Sequence, residues 1–98
     1  MKNKVNLEDL SRRREQLFAE LVLGRHDLAS ALTAMRGCLG ASQADYAELT
    51  GVPVRLISQI ENGKANPTLE SLEKLGRPFG LELAWRRKQS SPSRPLTT

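Results

Sequence analysis

Four side chains in the first half of the chain have the chemistry for catalysis or redox work: His26, Asp27, Ser30 and Cys38. A serine nucleophile needs a base and a carboxylate arranged around it, and the adjacent pair His26-Asp27 at a helix start does not provide that geometry. Asp27 is better explained as a helix N-cap. Cys38 is the only cysteine, and no CxxC or HExxH metal-binding spacing occurs. We predict no enzyme, no metal and no cofactor.

The charge distribution predicts a polyanionic partner that is held by a few well-placed cations. The net charge is +4, divided as +2 over residues 1–26, −2 over residues 27–76 and +4 over residues 77–98. A slightly acidic middle segment cannot attract nucleic acid by its overall field. If that segment binds DNA, individual basic side chains must make the contacts.

Length and composition indicate one soluble helical domain. The chain has 98 residues, 39% hydrophobic and 4% aromatic. No apolar run approaches the roughly 20 residues that cross a bilayer, and no signal peptide is evident. We therefore expect a cytoplasmic protein, associated with the nucleoid, without a membrane partner.

Capping residues and apolar spacing predict five helices and then one strand. The strand is predicted from the alternation of apolar and polar residues over 81–86, and the Ser-, Pro- and Arg-rich residues 88–98 predict a disordered basic tail. The predicted helices are residues 7–23 after the N-cap Asn6, a helix from Asp27 broken at Gly37 and Gly40, Ser42 to Thr50 with Asp45 completing a capping box, Pro53 to about Asn62, and Thr68 to Gly76.

Two short helices joined by Gly51-Val52, each with a start signal, form the pattern of a helix-turn-helix. The stretch Leu32 to Gly80 resembles the XRE family of phage-repressor and Cro-like DNA-binding domains. The resemblance implies an all-α, five-helix-type helix-turn-helix domain over residues 27–80, with an extra N-terminal amphipathic helix in the extension 1–26. The matching residues are Arg36, Ser42 to Val52, Ile57 to Lys64 and Asn66 to Leu69.

The same resemblance implies a role for individual side chains. Val54, Arg55 and Gln59 stand where the family faces base edges, and these types suit a thymine methyl, guanine and adenine respectively. The residues implied to contact DNA phosphates are Ser42, Gln43, Asn62 and Lys64. Those implied to form a structural ion pair are Arg36 and Glu61. A solvated polar face is the alternative interpretation of the exposed members.

Two residues depart from the family pattern. Pro53 and Leu56 occupy positions where small hydroxyl or polar residues are common, so neither can donate a hydroxyl hydrogen to a phosphate. Leu56 beside Val54 could instead form an apolar patch, for thymine methyls or for a protein partner. This departure leaves the DNA specificity open.

The C-terminal strand, residues 81–87, is predicted to hold a homodimer together. Leu81, Leu83 and Trp85 alternate onto one face, and the sequence offers no second strand to pair with them. Pairing with the same strand of a second copy would present two recognition helices to a palindromic operator. The sequence of residues 75–83 resembles that of HipB-like antitoxins. This resemblance implies a HipA-type toxin kinase as partner.

The leading hypothesis is a dimeric repressor of double-stranded DNA, an antitoxin that represses its own operon. The alternative is a protein-interaction module whose helix-turn-helix no longer reads DNA, favoured by the acidic middle, by Leu56 and by the added N-terminal helix. An RNA-binding protein is a weaker hypothesis because no RNP or KH-type motif is present.

Overall fold

The computed structural model describes residues 7–87, which form five α-helices and one turn of 3-10 helix. The elements are α1 Leu7–Val22, α2 Leu28–Leu39, α3 Gln43–Thr50, α4 Val54–Glu61, α5 Leu69–Gly76 and the 3-10 turn Arg77–Phe79. The all-α prediction is confirmed, as are the five helices predicted from capping and spacing. The five-helix-type domain that the resemblance implies after α1 is corrected, because four α-helices follow α1 in the described chain. Asn6 and the tail 88–98 lie outside the described residues.

Reciprocal caps fix the starts of α2 and α3. The Ser42 hydroxyl accepts from Asp45 N at 3.0 Å, while Asp45 Oδ2 accepts from Ser42 N at 3.2 Å. Asp27 Oδ1 accepts from Ser30 N at 2.8 Å, and the Ser30 hydroxyl accepts from Asp27 N at 3.1 Å. Each box satisfies two amides that a helix start leaves unpaired. The predicted caps at Asp27 and Ser42 are confirmed.

Helix α2 continues through Gly37, so the prediction that this glycine breaks the helix is wrong. The helix ends at Gly40, whose φ of 63° is the left-handed conformation that glycine adopts most easily. Glycine inside a helix costs only about 0.5–1 kcal/mol relative to alanine. Burial of the flanking residues Met35 and Cys38 outweighs that cost.

The core lies where α2, α3, α4 and α5 meet. Leu32, Tyr46 and Ile57 are its largest fully buried side chains. The Tyr46 hydroxyl donates to the Leu75 carbonyl at 2.6 Å, which ties α3 to α5. Burial raises the pKa of Tyr46, so the phenol stays protonated and keeps this donor.

Helix α1 packs along α2 in the opposite direction. Cys38 Sγ, near the end of α2, donates to the Arg13 carbonyl at 3.4 Å, whereas His26, just before α2, contacts Glu20 at 2.7 Å. Leu17 between these contacts is buried in the same core. The start of α1 therefore lies beside the end of α2.

Residues 81–87 form neither helix nor strand in the described chain. Leu81 packs against the core, but Leu83 is 46% exposed and Trp85 is completely exposed. The predicted strand is absent here because a strand needs a partner for its ladder hydrogen bonds, and residues 7–87 supply none. Its pairing across a dimer remains a prediction.

Candidate nucleic-acid interface

Helix α4 has one buried face and one open face. Ile57 and Ile60 point into the core, as their spacing predicts. Arg55 and Gln59 are exposed four residues apart, a spacing that places both on one side of a helix. Val54 is also exposed, at the first turn. The three side chains predicted to face bases therefore project from one anchored helix.

A hydrogen-bonded junction joins α2, α3 and α4 behind that helix. Arg36 donates from Nε to Glu61 Oε2 at 2.7 Å and from Nη2 to Glu61 Oε1 at 2.9 Å. Its Nη1 donates to the Ala41 carbonyl at 2.9 Å, just before α3. The structure thus brings Arg36 and Glu61 together in a bidentate pair, a geometry that adds both strength and direction.

Gln43 belongs to the same junction, which the sequence alone did not reveal. Its Nε2 donates to Glu61 Oε1 at 3.1 Å. One amide hydrogen is therefore used inside the protein, and the second hydrogen and the carbonyl oxygen are left for other contacts. No signal in the sequence selects Glu61, 18 residues away, as the partner of Gln43.

The junction is ionised at neutral pH. The hydrogen bonds from Arg36 lower the pKa of the Glu61 carboxyl, against the effect of burial. The Glu61 carboxylate in turn raises the pKa of the Arg36 guanidinium. The side chains of Arg36 and Glu61 are only 20% and 9% exposed, so each charge depends on the other for its neutralisation. The start of α3 and the end of α4 are therefore held in fixed relative positions.

The predicted phosphate-contacting residues lie at the ends of α3 and α4. Accepting the Asp45 amide leaves the Ser42 hydroxyl hydrogen available as a donor. Asn62 and Lys64 are exposed after α4, on either side of Gly63, whose φ is 70°. Lys64 N donates to the Gln59 carbonyl at 2.9 Å, which fixes the Lys64 backbone against the end of α4.

Leu56 does not form the exposed apolar patch that its position beside Val54 indicates. Its side chain is half-buried and packs against the core. Helix α4 begins at Val54, one residue later than predicted, and Pro53 is its N-cap without a side-chain cap bond. Val54 is therefore the exposed apolar side chain of this helix start.

His26 lies in a hydrogen-bonded chain that the sequence interpretation missed. His26 Nε2 contacts Glu20 Oε1 at 2.7 Å, and its Nδ1 contacts the Ser30 hydroxyl at 2.9 Å. The order carboxylate, imidazole, hydroxyl matches that of a hydrolase triad, with Glu20 in place of Asp27. Ser30 is, however, engaged in the cap of α2 on both its hydroxyl and its amide. This series of hydrogen bonds links α1 to the start of α2.

No helix in residues 7–87 combines the length and the apolar character needed to span a membrane. No group of His, Cys, Asp and Glu side chains in the same range is arranged to hold a metal ion.

Comparison with known proteins gives two findings. Residues 35–86 match the Helix-turn-helix family HTH_3. A Haemophilus influenzae protein named "Uncharacterized HTH-type transcriptional regulator" is 38% identical over 74 residues, a match that covers 71% of this chain and 76% of the relative. No solved structure matches the chain. The family match begins inside α2 and excludes α1.

Proposed function

The chain belongs to the helix-turn-helix family HTH_3 and is a DNA-binding transcriptional regulator, and from this premise we propose that it is a dimeric, sequence-specific repressor. The observation that carries the proposal is α4, where Arg55 and Gln59 share one exposed face while Ile57 and Ile60 anchor the other. A rigid helix with long polar side chains on one side is the element that enters a major groove.

Specificity is proposed to come from three side chains of α4. Arg55 suits a bidentate pair with guanine, Gln59 a bidentate pair with adenine, and Val54 a contact with a thymine methyl. Ser42, Gln43, Asn62 and Lys64 are proposed to contact backbone phosphates on either side of the groove. For Gln43 the donor to DNA is the amide hydrogen that does not bind Glu61.

Dimerisation is proposed to occur through residues 81–87. Trp85 is completely exposed, and burial of an aromatic side chain of this size is a large source of binding energy. Leu83 lies at the edge of a groove of about 500 Å³ whose walls include Leu28, Met35 and Leu72. Antiparallel pairing of two copies would satisfy the backbone of this segment and cover these apolar side chains.

A salt titration tests the proposal. The full chain is mixed with duplex DNA from upstream of its own gene and with a shuffled duplex of the same composition. We expect tighter binding to the upstream DNA, weakening linearly in logarithmic plots as salt rises. Binding to neither duplex would support the alternative, a protein-interaction module. The half-buried position of Leu56 argues against that alternative because it removes the apolar patch that favoured it.

The narrower role of a HipB-like antitoxin is proposed from the resemblance in residues 75–83. It predicts that the chain forms a stable complex with a HipA-type kinase encoded beside it. Co-expression of the two proteins, followed by size-exclusion chromatography and a kinase assay, tests this role. Separate elution of the two proteins with undiminished kinase activity would remove the antitoxin role and leave the repressor.

A further inference from the structure

We propose that Arg12 and Arg13 of α1 extend the DNA-binding surface and contact a backbone phosphate beside the one held at the start of α3. The inference rests on the proposed DNA binding of the helix-turn-helix. It goes beyond that function because α1 lies outside the residues that match the family.

The Arg13 side chain lies at the end of α2. Arg13 Nη1 donates to the Gly37 carbonyl at 3.4 Å, and the same oxygen accepts from Gly40 N at 3.2 Å. Ser42, the cap of α3, follows Gly40 by two residues, about 7 Å of chain. The Arg13 guanidinium therefore lies beside the turn that leads into the proposed phosphate contact.

The two arginines lie near the junction behind α4. Ala34 lines one shallow surface depression together with Arg12, Arg13 and Gly37. Ala34 also lines a neighbouring depression together with Glu61. Both the arginines and Glu61 therefore lie near Ala34, and Glu61 in turn accepts from Gln43.

Both guanidinium groups can exchange their present contacts for a phosphate. Arg12 pairs with Asp9, but its side chain is 72% exposed, and exposed pairs of this kind contribute little. Arg13 makes a long bond to a neutral carbonyl. For Arg13, a phosphate oxygen is a stronger acceptor than the neutral carbonyl, because the bond is charge-assisted on both sides and can be bidentate. For Arg12, a phosphate would replace the exposed carboxylate of Asp9 by another anion of similar strength.

Space for the DNA backbone is available at the same place. Gly37 is exposed, and a Cβ built on it would meet no atom within 4 Å. Its conformation is helical and does not require glycine. Absence of a side chain at this position lets a phosphate approach the end of α2 closely.

Arg14 supplies a matched control. It is the next residue along α1 and has the same charge, but its guanidinium lies over the Phe18 ring, 5.8 Å from the centroid. Replacing it removes one positive charge without removing a group from the surface beside Gly37.

The experiment measures the salt dependence of binding to the upstream duplex for the full chain and for Arg12→Gln, Arg13→Gln and Arg14→Gln. Neutralising one phosphate fewer lowers the slope of log K against log salt by about 0.9. We expect that decrease for Arg12→Gln and Arg13→Gln, and an unchanged slope for Arg14→Gln. Arg13→Lys should retain the slope because lysine still neutralises a phosphate. Asp9→Asn should tighten binding because it releases Arg12.

The outcomes separate this inference from the function on which it rests. If the unaltered chain binds no duplex, the proposed function fails and the inference fails with it. If the unaltered chain binds but the three glutamine variants have equal slopes, the inference alone is overturned. Thermal melting by circular dichroism verifies that each variant is folded, and Arg12→Gln carries the test if Arg13→Gln melts early.

Discussion

Two regions of the molecule differ in whether their side chains have partners within the described chain: the junction of α2, α3 and α4, and the C-terminal segment 81–87. At the junction, Arg36, Glu61 and Gln43 satisfy one another within 3.1 Å. In the C-terminal segment, Trp85 and Leu83 have apolar surface open to solvent. The first region is complete in one chain, whereas the second has apolar surface that no other part of residues 7–87 covers. The junction holds α2, α3 and α4 in fixed relative positions, and assembly through residues 81–87 stays a prediction.

The largest expected effect is on dimerisation and operator affinity, through a substitution in residues 81–87. Leu83→Pro removes a backbone donor and an apolar side chain from the proposed strand, so it should give monomers. Residues 81–87 have no regular structure within the chain, so the monomer should remain folded. Loss of a second linked half-site should lower operator affinity by about 100-fold or more, with little change for a single half-site. Light scattering gives the mass, and fluorescence anisotropy gives the two affinities.

Leu69→Ala is the matched control for Leu83→Pro, because Leu69 is 71% exposed at the start of α5 and does not line the groove that Leu83 lines. It should leave the dimer intact. A Leu83→Pro protein that is still dimeric and binds the operator normally would move the interface elsewhere, with α1 as the first candidate.

The next largest effect is on stability, through a substitution at the junction of α2, α3 and α4. Glu61→Ala leaves the Arg36 guanidinium largely buried without its carboxylate, which should lower the free energy of unfolding by about 2–3 kcal/mol, somewhat less than for a fully buried pair. Glu70→Ala breaks an exposed pair with Lys74 and should change stability by less than about 0.5 kcal/mol. Urea denaturation of both variants measures the difference. Equal midpoints would mean that the junction does not stabilise the fold.

The sequence predicts contacts between neighbouring residues and leaves open those between distant residues or between two chains. The caps at Asp27 and Ser42 are local, with both partners within three residues, so residue type and spacing suffice. The partners of His26 and Gln43 lie 6 and 18 residues away, and nothing in the periodicity selects them. Pairing of residues 81–87 requires a second chain, so neither the sequence nor a single chain decides it.

A smaller effect distinguishes reading of bases from holding of phosphates. Arg55→Ala should lower affinity for the upstream DNA by about 1–3 kcal/mol and relax the preference at one base step. Lys64→Ala should weaken binding to upstream and shuffled duplexes alike, because a phosphate carries no sequence information. Anisotropy titrations on both duplexes measure the two patterns. If both variants lose affinity equally on both duplexes, Arg55 does not read a base.

The smallest effect is the pH dependence of stability, which should originate in the junction and not in the C-terminal segment. Arg36 lowers the pKa of Glu61 in the folded chain below the ordinary value of 4.5, so the unfolded chain binds this proton more readily. The stabilisation is fully present above pH 4.5 and is lost as the pH falls through the lower, folded pKa.

Glu61→Gln should therefore reduce the decrease in melting temperature that follows acidification. Leu83→Pro should leave this decrease unchanged, when it is compared with the unaltered chain at a protein concentration where both proteins are monomeric. Glu20 and Asp27 also have lowered pKa values, because Gln16 and His26 form hydrogen bonds with Glu20 and Ser30 forms them with Asp27. A residual decrease in melting temperature on acidification should therefore persist in Glu61→Gln. An unaltered slope in Glu61→Gln would assign the acid sensitivity to Glu20 and Asp27 instead.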